Sequence, residues 1–408
     1  MDFAREGRIL YLSSVDVSRP IGPAVNEREF LISAYHTFGD RVHAIIPRPR
    51  RDCPDIDPSR TSLHTDANTF DPLGLVKQQV EVHRLAKRAI ASFQPDLVVA
   101  RVGVLPLALR WLTNEGVPIY LKTVSDPFGF AVNNRGVKGM VGKCLVPFQR
   151  RVMRQLIRSA CAADACTPEI KQLVCRTLDC PQDKIAVVQN ATNVHRFQPS
   201  DKAVARGRLG WSQFSPILGY IGGSPEKRGG MELLELARRL LPDYPNLAVA
   251  IIGKQRSELL RQRASELKLG KHAIMPGEVP YESVPQHMNA LDIGFATGNV
   301  EWSARVGNSY QKVRQYLACG KPIITCGSAG SELIESGLAE LVSPGDVGAM
   351  ESATRKVLSR SEREQSTARQ HAVQTAHMQY STEATLRQRI DRWNLFAARG
   401  QTERKAAA

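Results

Sequence analysis

Short apolar runs rich in branched residues recur along the whole chain, each followed by a longer amphipathic stretch, and this alternation narrows the fold more than any other feature. A first series reads Ile9 to Ser13, Val42 to Pro47, Asp96 to Ala100, Pro118 to Thr123, Ala162 to Thr167 and Ile185 to Gln189. A second begins after Phe197-Gln198-Pro199 and reads Ile217 to Ile221, Leu247 to Ile252, Ala273 to Met275, Asp292 to Ala296, Pro322 to Thr325 and Ala339 to Val342. Runs of this length suit strands buried on both faces, and strands that alternate with helices predict parallel sheets in the α/β class.

The chain has 408 residues, more than one hydrophobic core usually covers, and 42% hydrophobic against 23% charged residues is a globular balance. Two tandem Rossmann-like domains follow, 1–197 and 198–374, with the boundary near 195–203. Leu386, Ile390, Trp393 and Phe396 recur at helical spacing and predict a helix within 375–398, followed by a polar, disordered tail at 399–408.

A formal net charge of +15 calls for an anionic partner: nucleic acid, an acidic membrane surface or a phosphorylated substrate. Nucleic acid is disfavoured, because no zinc finger, RNP-type aromatic stretch or helix-turn-helix with a basic arm is present. The eight cysteines show no C-x-x-C and no paired Cys/His spacing, so neither a zinc site nor a disulfide framework is expected. The chain opens MDFAREGRILYLSS and contains no run of about 20 apolar residues. A cytoplasmic protein with peripheral membrane contact is the expectation.

The strongest local signal is GYIGGSPEKRGGMELLELA, Gly219 to Ala237. An apolar strand ends in Gly222 and Gly223, and Lys227 and Arg228 precede a helix. Glycines admit a ligand close to the backbone, and a helix N-terminus favours an anion. Arg228 offers a bidentate fork and Lys227 a point charge, a pair able to hold a diphosphate without a metal. Read more plainly, the segment is an ordinary strand-to-helix loop with solvated cations.

A second signal is GNSYQKVRQYLACGKPIITCGSAGSELI, Gly307 to Ile334. Asn308 or Ser309 is placed to cap a helix carrying Lys312 and Gln315, and Gly320-Lys321-Pro322 stops it before a buried strand. Lys312 in the first turn forms a second positive locus, and the Gln315 amide suits a ribose hydroxyl. Both loops fall at carboxyl ends of strands, where open parallel sheets bind ligands.

These elements resemble the family 4 retaining glycosyltransferases. The resemblance rests on the glycine loop with Pro225-Glu226-Lys227-Arg228-Gly229, then Gly277-Glu278-Val279-Pro280, then Lys312 leading into Tyr316-Leu317-Ala318-Cys319-Gly320-Lys321-Pro322. Val187 to Ser200, VVQNATNVHRFQPS, is similar to that family's linker, and Ile21-Gly22-Pro23 occupies the position of its N-terminal glycine loop. The resemblance implies the two-domain GT-B fold, with an acceptor-side N-terminal domain, a C-terminal domain for the donor and a last helix that packs back on the first domain. It implies a nucleotide-diphosphate sugar as donor and a hexosyltransferase-type reaction without metal in which the leaving diphosphate helps deprotonate the acceptor. Arg228 and Lys312 would contact the diphosphate with Gly222, Gly223, Lys227 and Ser309 around it, Gln315 would lie near the ribose, and Gly22 would belong to the acceptor-side loop.

Departures from the family pattern are equally specific. Its usual Glu pair is replaced by Gly307 and Gln315, and the basic residue after the first glycines by Gly223. Thr123-Val124-Ser125-Asp126 stands where a His is common near the acceptor, which leaves Ser125 and Asp126 as the candidates there. Glu301 is either a substitute carboxylate or a solvated loop residue. Glu332 either binds a donor hydroxyl or charges a helix N-terminus. Asp55-Ile56-Asp57 resembles a metal-binding D-x-D but lies in a Pro- and Arg-rich stretch and reads as loop.

From Pro127 to Ala163 no acidic residue occurs, while Arg135, Lys138, Lys143, Arg150, Arg151, Arg154 and Arg158 do, interleaved with Phe128, Phe130 and Phe148. That segment suits an anionic membrane surface, and with it a saccharide or lipid-linked acceptor of cell-envelope or exopolysaccharide synthesis. A core helix with a basic solvent face is the alternative. Two other functions remain open. A sugar-nucleotide epimerase would need acid/base groups, whereas His36, His43 and His83 read as structural. A non-catalytic nucleotide-sugar or partner-binding relative would account for Gly307 and Ser125.

Overall fold

A computed structural model describes the chain except residues 1, 20, 67–70, 104–105, 124–135, 255–257, 299–306, 308–309, 327–332, 334–336 and 408, and except the side chains of 72, 123, 136–142 and 397–407. Two compact units emerge. One comprises Met1–Arg19, Pro23–Gln189 and Thr385–Ala408, and the other contains Asn190–Ala384.

In the first unit, β1 (Ile9–Leu12), β2 (Val42–Pro47), β3 (Thr61–His64), β4 (Leu97–Arg101), β5 (Ile119–Thr123), β6 (Ala162–Ala165) and β7 (Ile185–Val187) form one sheet in the order β3-β2-β1-β4-β5-β6-β7. Every pairing is parallel, with Leu10 level with His43 on one side and Val98 on the other. β1 and β4 are buried along their whole length, as expected for strands with helices on both faces. Edge strand β3 was not expected. Its TSLH sequence is short and mostly half-exposed, so no continuous apolar run marks it. Just before it Asp57 caps the single turn Pro58–Arg60 and pairs with Arg60, so Asp55-Ile56-Asp57 is loop structure.

The last helix, Thr382–Ala407, contributes Leu386, Ile390 and Trp393 to the core of this unit, beside Phe30, Leu31 and Phe38 of helix Gly22–Phe38. Trp393 meets Phe3 and Tyr120 edge-on, at 6.1 and 5.8 Å between ring centres. Arg389, one turn earlier, is buried against Asp164 of β6 at 2.7 Å. Of the helix expected within 375–398, Ala376–Tyr380 is a widened turn that follows a first piece, Glu362–Thr375, and the second piece, Thr382–Ala407, carries the expected spacing. The second piece runs through the segment read as a disordered tail. Its Ala, Arg, Gln, Glu and Lys residues are strong helix formers, a preference that polarity alone conceals.

The second unit repeats the pattern. β8 (Ile217–Ile221), β9 (Ala248–Ile252), β10 (Ala273–Gly277), β11 (Ile293–Ala296), β12 (Ile323–Thr325) and β13 (Ala339–Leu341) make a parallel sheet in the order β10-β9-β8-β11-β12-β13. Helix Gly230–Leu240 buries Leu233, Leu234, Leu236, Ala237 and Leu240 on one face. On the other face helix Gln311–Ala318 buries Val313, Tyr316, Leu317 and Ala318. In both sheets the order reverses beside the first strand, between β1 and β4 and between β8 and β11. The carboxyl ends at those points are where a doubly wound sheet opens a crevice.

Candidate functional site

The reversal point of the second sheet gathers the residues singled out by the sequence. β8 ends at Ile221 and the chain turns through Gly222, with φ 144°, into the short turn Pro225–Lys227 and then helix Gly230–Leu240. Gly229 has φ 97°, and a Cβ there would strike Thr297 at the end of β11. This loop therefore lies flat on its neighbour, which no residue with a side chain allows. The helix it opens has no side-chain cap, so its first N–H groups are left for a ligand or solvent.

Helix Gln311–Ala318 starts without a side-chain cap as well, at Tyr310. Asn308 and Ser309, expected as caps, lie outside the described residues. Lys312, the second helical residue, reaches back over β8. Its Nζ is 3.6 Å from the centre of the Tyr220 ring and 5.5 Å from that of Tyr310. A Cβ at Gly222 would stand 3.1 Å from that Nζ. The Arg228 guanidinium lies 5.7 Å from the Tyr310 ring centre, on the same group of side chains.

Lys312 is 9% exposed, and among the described residues neither it nor Arg228 is paired with a carboxylate. Burial first, and the Arg228 cation second, hold the Lys312 ammonium well below its ordinary value of 10.5. The Tyr220 hydroxyl donates to the Gly223 carbonyl at 3.1 Å, and burial pushes it above the ordinary range. An uncompensated buried ammonium is costly, and an anion over Gly222 would relieve that cost while accepting hydrogen bonds from the loop.

The other expected residues separate. Lys227 is exposed at the end of its turn, whereas Arg228 is half-buried. Gln315 is buried one turn beyond Lys312, its amide nitrogen 3.5 Å from the Tyr281 hydroxyl. Gly307, also buried, has φ 65°. Gly22 is the exposed first residue of helix Gly22–Phe38 with open space around its Cα, so nothing there requires a glycine. Ser125, Asp126, Glu301 and Glu332 lie outside the described residues.

Beneath the reversal point of the first sheet lies a cluster that sequence reasoning missed. Glu27 accepts from Arg101 Nη1 at 2.6 Å and from Lys122 Nζ at 3.2 Å, and the Tyr11 hydroxyl donates to it. Burial raises the Glu27 carboxyl, but the Lys122 and Arg101 charges outweigh it and leave it below the ordinary 4.5. Burial brings Lys122 down to about 8 against the raising effect of Glu27. Lysine inside the apolar run Pro118 to Thr123 was the available signal; its partner stands 95 positions away. His43 and His83, read as structural, hold Ser62 at 2.9 Å and lie against Trp111 at 5.5 Å between ring centres.

The family described as Glycosyl transferases group 1 matches residues 215–360, and that described as Glycosyl transferase 4-like domain matches residues 29–191. The chain is 26% identical over 231 residues to the D-inositol 3-phosphate glycosyltransferase of Nocardia farcinica, a match covering 54% of this chain and 50% of that protein. It therefore spans about half the length of that curated relative. Among solved structures, Anabaena HepE in complex with UDP and glucose superposes with a TM-score of 0.71 at 16% identity, over 95% of this chain and 100% of that one. Sucrose-phosphate synthase from Thermosynechococcus elongatus gives 0.72 at 17% identity, over 96% and 100%. These likenesses extend the GT-B-like fold to nearly the whole chain. With the two domain matches together covering well over half of the sequence, the chain belongs to the group 1, family 4-like glycosyltransferases.

Proposed function

We propose that the protein transfers a hexose from a nucleoside-diphosphate sugar to a saccharide or lipid-linked acceptor, without a metal ion and with retention of anomeric configuration. The observation that carries this reading is Lys312, buried without a carboxylate partner among the described residues, over Gly222 and within reach of the group that holds Arg228. Cations fixed in a dry site stabilise charge where it develops, and at this point that charge is the departing diphosphate. The bond from the anomeric carbon to the phosphate oxygen breaks with its electron pair going to that oxygen. The acceptor oxygen forms the new bond, and its proton passes to the leaving diphosphate. Lys227 and the Gly222-Gly223 backbone, with Ser309, would complete the diphosphate contacts, Gln315 would take the ribose and Glu332 a donor hydroxyl. Ser125 and Asp126, with Gly22, belong to the acceptor side in this reading.

HepE was solved with UDP and with UDP-glucose, which supports a nucleotide-sugar donor for this fold. On the acceptor side, helix Gly136–Ser159 exposes Lys143, Arg150, Arg151 and Arg158 together with Phe148 and Leu145. Among the described residues no helix is long and apolar enough to cross a membrane. We read the segment 127–163 as a peripheral contact with an anionic leaflet, in keeping with a role in envelope or exopolysaccharide synthesis on the cytoplasmic side. A non-catalytic donor-binding relative is the second reading, favoured by Gly307, which offers no carboxylate at the family's position.

The test is release of nucleoside diphosphate from UDP-, GDP- and ADP-sugars with lipid-linked saccharides, under chelation, in wild type and Lys312→Ala. Acceptor-dependent release that the variant lacks is expected. Donor binding without release under any acceptor would favour the non-catalytic reading, and product formed from the donor alone would favour an epimerase.

A further inference from the structure

Helix Pro72–Phe93 is inverted in its first turns. Beside the half-buried Leu75, its inward residues there are Gln78, which donates to the Thr65 carbonyl at 3.0 Å, and Gln79, which accepts from the Ala108 N–H at 3.1 Å. Its outward residues are Leu73, 75% exposed, with Val76 and Val80, each 42% exposed. At about 100° per residue these three fall within one stripe with Lys77 among them, and Arg84, Lys87 and Arg88 continue it toward the C-terminus, Lys87 also pairing with Glu115 at 3.2 Å. Soluble helices normally turn such residues the other way, and grouped exposed apolar side chains mark an interaction surface.

We propose that this face of helix Pro72–Phe93 inserts into the headgroup region of an anionic bilayer, its apolar first turns entering and its cationic last turns lying on the lipid phosphates. The proposal rests on the peripheral membrane reading given above and assigns it a second, apolar element. Gln79 ties the helix to Leu107–Leu112, and Arg110 of that short helix donates to Gln155 of Gly136–Ser159 at 3.1 Å, so the inverted helix shares a layer with the basic one. The one acidic residue of the helix, Glu81, accepts from the Thr65 N–H at 3.0 Å, and Asp71 caps the first turn through Gly74. A stripe that runs from apolar to cationic suits an anionic lipid surface. The stripe itself holds no acidic residue, so the same stripe of a second copy docked on it would bring no counter-charge to these cations.

The experiment is flotation of the full chain with phosphatidylcholine vesicles that contain or lack phosphatidylglycerol. It compares wild type, the triple variant Leu73→Ser/Val76→Ser/Val80→Ser, and Val76→Trp, with circular dichroism confirming the fold. Wild type should float with the anionic vesicles, the triple variant should lose about tenfold in partitioning, and Val76→Trp should gain blue-shifted emission on them. Wild-type flotation that the triple variant retains, with no shift for Val76→Trp, overturns this proposal and leaves the basic helix as the sole contact. No flotation of wild type overturns both readings. A vesicle-independent dimer abolished in the triple variant makes a second copy the occupant and overturns the proposal too.

Discussion

Lys312 Nζ lies 3.6 Å from the centre of the Tyr220 ring, a buried ammonium set among aromatic rings, the Arg228 cation and the Cys326 thiol. Such a residue destabilises the empty protein. Lys312→Met should raise stability by about 1–3 kcal/mol while removing diphosphate affinity. Urea denaturation with and without nucleotide checks both halves, and a variant that loses stability and keeps binding contradicts the assignment.

The same residue sets a pH dependence. Its folded value lies below 10.5, so between that lowered value and 10.5 the unfolded chain binds more protons, and this group makes stability rise with pH. A bound diphosphate restores the ammonium. Nucleotide binding should therefore take up a proton and weaken as pH rises through the lowered value. Calorimetry in two buffers of different ionisation enthalpy measures that uptake directly, and identical heats in both would count against it.

Gly229→Ala tests the loop. The new Cβ would meet Thr297 and the backbone is held at φ 97°, so the variant should lose about 1–3 kcal/mol and weaken nucleotide binding together. Gly22→Ala, at a residue surrounded by open space, should leave stability nearly unchanged.

Glu27→Ala strands Arg101 and Lys122 in the core of the first unit and should cost about 3–5 kcal/mol in denaturant midpoints. Its contribution is present above 4.5, the ordinary value, and is lost as pH falls through the lowered folded value. Arg389→Ala removes the guanidinium 2.7 Å from Asp164 while the Tyr120 hydroxyl still donates to that carboxylate, and should cost less than Glu27→Ala. Because Trp393 lies one turn further along that helix, its emission reports whether the helix lifts from Phe3 and Tyr120.

Much of this was legible in the sequence because buried parallel strands are continuous apolar runs, and Val42–Pro47 and Ile217–Ile221 were read to the residue. β3 was not legible, since a half-exposed edge strand of four residues carries no such run. Lys312, Arg228 and Gly222 could be grouped from the sequence because glycines and cations at strand ends have few structural uses, and the fold brings them together at the end of β8. The roles of Tyr220, Tyr310 and Thr297 were not, because their relation to Lys312 and Gly229 exists only after folding. Lys227 and Arg228, adjacent in sequence and read together as a pair able to hold a diphosphate, differ in the structure, one exposed and the other half-buried.

In the proposed function a nucleoside diphosphate sits on Arg228 and Lys312 without a metal ion. Thermal unfolding with UDP, GDP and ADP and their sugar conjugates under chelation, in wild type and Arg228→Ala, tests it most directly. A base-selective stabilisation of about 2.7 kcal/mol at a hundredfold excess over Kd, present under chelation and absent in the variant, is the expected result. No stabilisation by any of these ligands, or equal stabilisation of the variant, would contradict a diphosphate site at Arg228 and Lys312.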